Sequence, residues 1–294
     1  MKQPLFTGSG VALVTPFTQQ GIDLPALRRL VDFQLLSGTN AIIVCGTTGE
    51  ASTMTAAERM QVLEAVLEQV DGAIPVIAGT GANATAVAVE QSRAAFSAGA
   101  DGILVVTPYY NKATQSGLVQ HFSRIADSVD GPVILYNVPS RTGISCTAET
   151  YRELSSHPNI IGVKEASGNF DLVQHTRWAC PPDFYMWSGN DEDTAAMMTL
   201  GAVGVISVVA NVMPAEMQQL TDAALLGDFV TAGQLQLELY PVCKALFSEV
   251  NPIPVKTALA MLGYCQEEFR LPLCPMGIDN RKRLEQLLTD TALL

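Results

Sequence analysis

The amino-acid sequence predicts an α/β fold, a closed (β/α)8 TIM barrel with a C-terminal helical appendage. Eight short apolar segments recur along the 294 residues, and most of them are continuous runs without polar alternation. Such runs are typical of parallel strands that are covered on both faces by helices. Because strands alternate with helical patterns, the sheet should be parallel, and eight repeats favour a closed barrel over an open sheet.

The predicted strands are short, rich in β-branched residues and bounded by Gly, Pro or Ser. They cover residues 11–17, 41–46, 75–79, 102–107, 132–136, 160–164, 184–188 and 204–209. Apolar residues recur every three or four positions from Leu24 to Leu35, which predicts a helix after the first strand. The next helix should begin at Thr55, because Glu58 follows it at capping-box spacing. Helices are predicted over residues 24–37, 55–70, 85–98 and 117–129.

The pattern changes beyond Val212, where no further strand is evident. Helices are predicted over residues 214–226, 229–247, 252–262 and 277–288. The first would complete the barrel, and the others would form the appendage. We therefore predict a barrel over residues 1–226 that carries the catalytic site, and a C-terminal helical region over residues 227–294.

Composition excludes several classes of function. The 29 acidic and 17 basic residues give a net charge of -12, which disfavours binding to nucleic acid. The N-terminal residues lack the apolar region of a signal peptide, and the apolar runs are shorter than the ~20 residues of a membrane span. The six cysteines form no CxxC pair, which favours reduced thiols and a cytoplasmic location.

No cofactor or metal is predicted. The first strand is not followed by GxGxxG, and Gly79-Thr80-Gly81 is interpreted as a tight turn after the third strand. The three histidines show no metal-binding spacing. Carboxylates at Asp191, Glu192 and Asp193 follow the seventh strand, where a barrel that binds phosphate would carry a Gly-rich anion loop.

Lys164 is the most informative residue because it ends the apolar run 160–164. Burial of an unpaired charge is expensive, and desolvation lowers the pKa of an amine. A neutral amine is a nucleophile that can form a Schiff base with a carbonyl substrate. The alternative is a lysine at a strand end whose amine reaches water.

Polar residues cluster at the predicted carboxyl ends of four strands, where barrel enzymes place their active sites. These segments are residues 46–50, 107–111, 136–143 and 164–165. Each alone has an ordinary explanation, such as a packing tyrosine or a simple turn. Because all four segments lie at the same end of the predicted barrel, we expect their Thr, Tyr, Arg and Lys side chains to lie together at that rim.

These side chains fit an imine mechanism. Thr47 and Thr48, which lie between glycines, offer hydroxyl and N–H groups to a small carboxylate. Tyr136 is a candidate to shuttle protons as a carbinolamine loses water, with Thr47 as a relay. Arg141 suits a second carboxylate, although it could also brace its loop. An imine on Lys164 would let the adjacent carbon become an enamine nucleophile.

Four motifs carry a family resemblance. GTTGE (46–50), TPYYN (107–111), YNVPSRTG (136–143) and VKEASG (163–168) make the chain similar to the dihydrodipicolinate synthase family. That family belongs to the pyruvate-dependent class I aldolases, which include N-acetylneuraminate lyase. The resemblance extends from residue 10 to the C-terminal helices, and it implies a Schiff-base-forming lyase.

The resemblance also implies roles for individual residues. Lys164 would form the imine with pyruvate, and Tyr136 would be the general acid and base. Thr47 and Thr48 would bind pyruvate and relay protons. Tyr110 matches a second tyrosine that reaches into the site of a neighbouring subunit. The remaining substrate-binding positions implied are Arg141, for the carboxylate of the second substrate, with Gly189 and Ile206.

The implied reaction condenses pyruvate with aspartate 4-semialdehyde, in diaminopimelate and lysine biosynthesis, within a homotetramer built as a dimer of dimers. A sugar-acid aldolase or N-acetylneuraminate lyase is the alternative. Those enzymes share Lys164 and Tyr136, but they depart from the Ser-Arg-Thr-Gly sequence at 140–143. A catalytically silent barrel is a further alternative, which the intact set of site residues disfavours.

Regulation by lysine is not expected. Members that bind lysine do so near positions matching 51–59, 83, 87 and 109, often with histidines at 56 and 59 and a glutamate at 87. This chain has Ala56, Arg59 and Val87 instead. Because the counter-charge for an ammonium group is lost, we expect weak or absent inhibition by lysine.

Overall fold

The computed structural model describes all 294 residues. Its centre is a closed barrel of eight parallel strands, in which each strand pairs with the next along the chain and the last pairs with the first. The strands are β1 (Gly8–Ala12), β2 (Ala41–Val44), β3 (Val76–Gly79), β4 (Gly102–Val106), β5 (Val133–Asn137), β6 (Ile160–Glu165), β7 (Tyr185–Ser188) and β8 (Gly204–Ser207). The predicted fold class is confirmed.

The first strand is the least accurate prediction. It lies at Gly8–Ala12 rather than over residues 11–17, and Phe17–Thr18 instead pairs with Gly21–Ile22 in a separate two-stranded hairpin. The error has a physical cause, because β1 starts with glycines that carry no apolar signal. Gly10 must lack a side chain, since a Cβ there would lie 2.8 Å from the ring of Phe6.

Helices surround the barrel and extend beyond it. They are α1 (Leu24–Leu36), α2 (Ala56–Val70), α3 (Thr85–Ser97), α4 (Gln115–Ala126), α5 (Pro139–Thr142), α6 (Ala148–Leu154), α7 (Phe170–Ala179), α8 (Thr194–Thr199), α9 (Pro214–Leu225), α10 (Phe229–Leu246), α11 (Ile253–Met261) and α12 (Ile278–Asp290). The capping box at α2 is present, with reciprocal bonds between Thr55 and Glu58. Helices α5 to α8 were not predicted. Three of them, α5, α6 and α8, have only 4, 7 and 6 residues, and the ten residues of α7 include only two buried side chains.

Two groups of buried side chains result from the alternation of residues along each strand. A large core of 64 residues lies between strands and helices, and a smaller core of 13 residues fills the barrel. Tyr136 belongs to the inner core. It is paired in register with Lys164, so the two side chains lie on the same inner face.

The C-terminal helices pack against the barrel rather than away from it. Helix α10 contacts α8 and α9, and α11 contacts the short turn Val209–Asn211 that follows β8. The predicted division at residue 226 remains a prediction. No helix of the chain combines the length and the apolar character needed to cross a membrane.

Candidate active site

A cavity of about 170 Å³ opens at the carboxyl ends of the strands, the end predicted for the site. Six of the eight predicted site residues line it, and Tyr110 and Ile206 do not. The six are Thr47, Thr48, Tyr136, Arg141, Lys164 and Gly189. The C-terminal region also contributes Phe247 and Asn251 to the wall.

Lys164 lies in β6 and is only 5% exposed. Its Nζ lies 4.5 Å from the centroid of the Tyr136 ring. Burial lowers the pKa of the amine to about 8, an effect that Asp191 opposes and Arg141 reinforces. About a tenth of the amine is therefore neutral at pH 7, which is orders of magnitude more than for an ordinary lysine. The amine has the properties of an imine-forming nucleophile.

Tyr136 supplies a protonated phenol beside this amine. Burial raises the pKa of Tyr136, while the nearby Arg141 charge and the Thr47 hydroxyl oppose that shift. The phenol can therefore donate a proton at neutral pH. Because its ring lies beside Nζ of Lys164, the phenol is a candidate proton donor to a group bound at that amine.

The loop after β2 brings Thr47 and Thr48 to the cavity. Cys45 and Glu50 at its two ends have φ angles of 55° and 54°, so the chain turns sharply between them. Thr48 is buried, and its Oγ1 accepts a hydrogen bond of 3.0 Å from Nδ2 of Asn251. The loop is thus anchored to the C-terminal region.

Arg141 lies at the exposed mouth of the cavity, in the short helix α5 that follows β5. Its Nη2 donates a 3.2 Å hydrogen bond to the main-chain oxygen of Asn251. The remaining N–H groups are available for a planar anion such as a carboxylate. Asn251, which sequence reasoning missed, therefore connects Arg141 with Thr48.

Tyr110 lies away from the cavity of its own chain. It follows β4, is 90% exposed and has a φ angle of 74°, a conformation that tyrosine rarely adopts. Within one chain, the structure does not bring this phenol to Lys164.

Gly189 and Ile206 occupy different environments. A Cβ at Gly189 would lie 2.6 Å from Cβ of Ala166 and 3.1 Å from Cε of Lys164, so the glycine makes room for the lysine. Ile206 lies in β8 with its side chain fully buried in the inner core.

Sequence reasoning gave no supporting role to two carboxylates, Asp191 and Glu50, that are buried beside the site. Asp191 accepts hydrogen bonds from Ser207 Oγ and from the N–H groups of Val208 and Val209. Its charge favours the protonated form of Lys164. These partners are far apart in the sequence, so no local pattern indicates their contact.

Glu50 is the second buried carboxylate, and it forms an ion pair with Lys256 of α11. Its Oε1 lies 2.6 Å from Nζ of Lys256, and neither side chain is exposed. The ammonium group also lies 4.1 Å from the ring centroid of Phe17. Burial lowers the pKa of Lys256, and the Glu50 charge opposes this shift. The pair fixes the end of the loop that carries Thr47 and Thr48, here called the threonine loop.

A closed barrel with a buried, partly neutral lysine and a protonated tyrosine at its carboxyl end defines an imine-forming lyase of the class I aldolase type. The model of the dihydrodipicolinate synthetase family matches residues 5–291. The chain belongs to this family, as its motifs predicted.

Known proteins of this family are similar over their whole length. A 4-hydroxy-tetrahydrodipicolinate synthase of Thermoanaerobacter sp. (strain X514) is 52% identical, over 99% of this chain and 98% of that protein. The crystal structure of dihydrodipicolinate synthase from Aquifex aeolicus has a TM-score of 0.97 at 48% identity, covering 98% and 99% of the two chains. A monomeric dihydrodipicolinate synthase variant has a TM-score of 0.97 at 42% identity, covering 99% and 98%. These relatives favour the synthase over the sugar-acid alternative.

The ion pair beneath the threonine loop provides a test of how the site is held. Lys256→Met leaves the buried Glu50 without its ion-pair partner, with only the N–H of Arg270 still donating to the carboxylate, and we expect the free energy of unfolding to fall by about 3–5 kcal/mol. The double variant Glu50→Gln/Lys256→Met removes both charges and should recover most of this loss. Urea denaturation measures both values.

Lys282→Met serves as the control, because Lys282 is an exposed lysine of α12 without an ion pair. It should change the free energy of unfolding by less than about 0.5 kcal/mol. Equal stability of the single and double variants at the Glu50–Lys256 pair would contradict the expected cost of an unpaired charge.

Proposed function

We propose that the chain is a 4-hydroxy-tetrahydrodipicolinate synthase that condenses pyruvate with aspartate 4-semialdehyde in diaminopimelate and lysine biosynthesis. The observation that carries the proposal is the Lys164 amine, with a pKa of about 8, against the Tyr136 ring in a cavity with Arg141 at its mouth. The names of the relatives support the choice of substrates.

The first half of the reaction forms the nucleophile. The neutral Lys164 amine attacks the keto carbon of pyruvate, and the carbinolamine loses water as the Tyr136 phenol donates a proton to the leaving hydroxyl. Thr47 and Thr48 hold the carboxylate of pyruvate. The Tyr136 phenolate then takes a proton from the methyl group, which gives the enamine because the protonated imine accepts the electron pair.

The second half forms the product. The enamine carbon attacks the aldehyde carbon of the second substrate, whose carboxylate binds to Arg141 at the mouth, and the aldehyde oxygen takes a proton from the Tyr136 phenol. The amino group of that substrate then adds to the imine carbon and closes the ring. A proton passes from this amino group to the Lys164 nitrogen, whose bond to the carbon breaks, which releases Lys164. Gly189 and Ile206 belong to the substrate-binding region in this proposal, Gly189 by its contact with the lysine stem.

The proposal includes a homotetramer built as a dimer of dimers. Tyr110 supports it, because a tyrosine that is 90% exposed in a rare backbone conformation is free to enter the site of a neighbouring subunit. The barrel fold does not by itself fix the number of subunits, since a monomeric variant shares it. We further propose a cytoplasmic location, supported by six cysteines that are all free thiols.

Reductive trapping tests the imine. With pyruvate and cyanoborohydride, the wild-type protein should gain a stable adduct on the peptide that contains Lys164, and Lys164→Arg should gain none. Because the amine must lose its proton, the trapping rate should rise about tenfold per pH unit below pH 8 and level off above it. Mass spectrometry at several pH values between about 6 and 9 provides both measurements. An adduct on a different lysine, or a rate independent of pH, would contradict the mechanism.

Substrate choice is tested with one preparation of enzyme and pyruvate. Aspartate 4-semialdehyde, N-acetylmannosamine and glyceraldehyde are supplied in parallel, and we expect kcat/KM to be highest for the first by at least about 100-fold. Arg141→Lys should reduce this preference, because an ammonium group cannot bind a carboxylate through two parallel bonds. Faster turnover of N-acetylmannosamine would instead support the sugar-acid alternative.

Lysine should inhibit weakly or not at all. Arg59 donates hydrogen bonds of 3.0 Å and 2.6 Å to the main-chain oxygen of Ala51 and one of 2.7 Å to Oε1 of Gln91, so a cation already occupies this region. We expect steady-state rates to stay within about 20% of the uninhibited rate at 1 mM lysine, since like charges repel. Inhibition at micromolar lysine would show this expectation to be wrong.

A further inference from the structure

Strands β5 and β6 carry two adjacent cross-strand pairs that face opposite sides of the sheet. Tyr136 is in register with Lys164, and Asn137 is in register with Glu165. Because successive side chains alternate, the first pair faces the cavity and the second faces the surrounding helices. The proposed mechanism uses only the first pair.

Glu165 accepts several hydrogen bonds on the outer face of the sheet. Nδ2 of Asn137 donates to both carboxylate oxygens, at 3.0 Å and 3.1 Å. The hydroxyl of Tyr151 donates at 2.8 Å to Oε2, and the N–H of Ser167 donates at 2.8 Å to Oε1. Glu165 is 2% exposed and has no ion-pair partner, so these neutral donors replace water around it. Such a network holds the positions of its members firmly.

Asn137 extends the network to the segment that follows Arg141. Its Nδ2 also donates to Oγ of Ser145 at 3.1 Å, and its Oδ1 accepts from the N–H of Cys146 at 3.1 Å. One carboxylate therefore connects the ends of β5 and β6, the turn after β6 and the chain that leads away from the cavity mouth.

We propose that Glu165 and Asn137 are positioning residues, which act from the outer face of the sheet to hold the Tyr136 phenol against the Lys164 amine. The inference rests on the proposed function, since the phenol must reach the carbinolamine that forms on Lys164. A displacement of about 1 Å between reacting groups can reduce a rate about 100-fold. A slip between the two strand ends would have that effect without any change in the cavity residues themselves.

Substitutions at Glu165 separate a positioning role from simple stability. Glu165→Leu removes every carboxylate acceptor. The Ser167 N–H and the Tyr151 hydroxyl then lose their partner, and Asn137 keeps only its hydrogen bonds with Ser145 and Cys146. Glu165→Gln keeps an acceptor for Asn137 and the Ser167 N–H, and its amide group can donate to the Tyr151 oxygen, so it is the conservative replacement. Tyr151→Phe removes a single hydroxyl and serves as a mild second variant if Glu165→Leu fails to fold.

Asn159→Ala is the matched control. Nδ2 of Asn159 donates to the main-chain oxygens of Ala126 and Val129 at 3.1 Å and 2.8 Å, just before β6 begins. The variant therefore weakens the amino end of the strand that carries Lys164, at the opposite end from the cavity. It should lower the melting temperature while leaving the kinetics unchanged.

The measurement is the pH profile of trapping with pyruvate, together with kcat and KM. For Glu165→Leu we expect the plateau rate and kcat to fall at least about tenfold, with KM for pyruvate changed less than about threefold. Glu165→Gln should recover to within about threefold of wild type, and Tyr151→Phe should lie between the two. The pH midpoint should remain near 8, because Lys164 stays buried and the charges that act on its pKa are those of Asp191 and Arg141.

Three results would overturn the inference. One is a wild-type plateau rate in folded Glu165→Leu and Tyr151→Phe. Another is an equal loss of rate in Asn159→Ala, which would indicate a general loss of stability. The third is the absence of a Lys164 adduct in the wild-type protein, which would overturn the proposed function as well.

Discussion

The exclusion of water from the Lys164 amine is the constraint on which the site depends. An ammonium group in a barrel interior is unfavourable, and the chain reduces that cost by lowering the pKa of the amine to about 8. The residues that create this environment also create the cavity: Gly189 leaves space for the lysine stem, and the Tyr136 ring covers one side of it. The residues that pack around Lys164 are therefore the same ones that make its amine reactive.

Three buried carboxylates stabilise the rim of this cavity. Glu50 forms an ion pair with a lysine, whereas Asp191 and Glu165 accept hydrogen bonds only from neutral side chains and main-chain N–H groups. Each follows or ends a different strand, so together they fix the ends of β2, β6 and β7. None of them lines the cavity, which leaves Lys164 and Arg141 as its charged groups.

The sequence predicted the barrel and six of the residues that line the cavity, because both depend on local signals. Apolar runs marked the strands, and polar residues at their ends marked Thr47, Tyr136 and Lys164. The start of β1 was not predicted because its glycines have no apolar side chain that would indicate a buried strand. Asn251 and Lys256 were missed since their roles depend on partners about 200 residues away, Thr48 and Glu50.

The separation between Glu50 and Lys256 has a consequence for biosynthesis. The two partners are 206 residues apart, and one of them lies in the last three helices of the chain. On the ribosome, the first strands emerge long before α11, so Glu50 remains solvated while most of the barrel is being made. The threonine loop can therefore acquire its final packing only after residue 256 has left the exit tunnel, and a prematurely terminated polypeptide would contain Lys164 without a finished pocket around it.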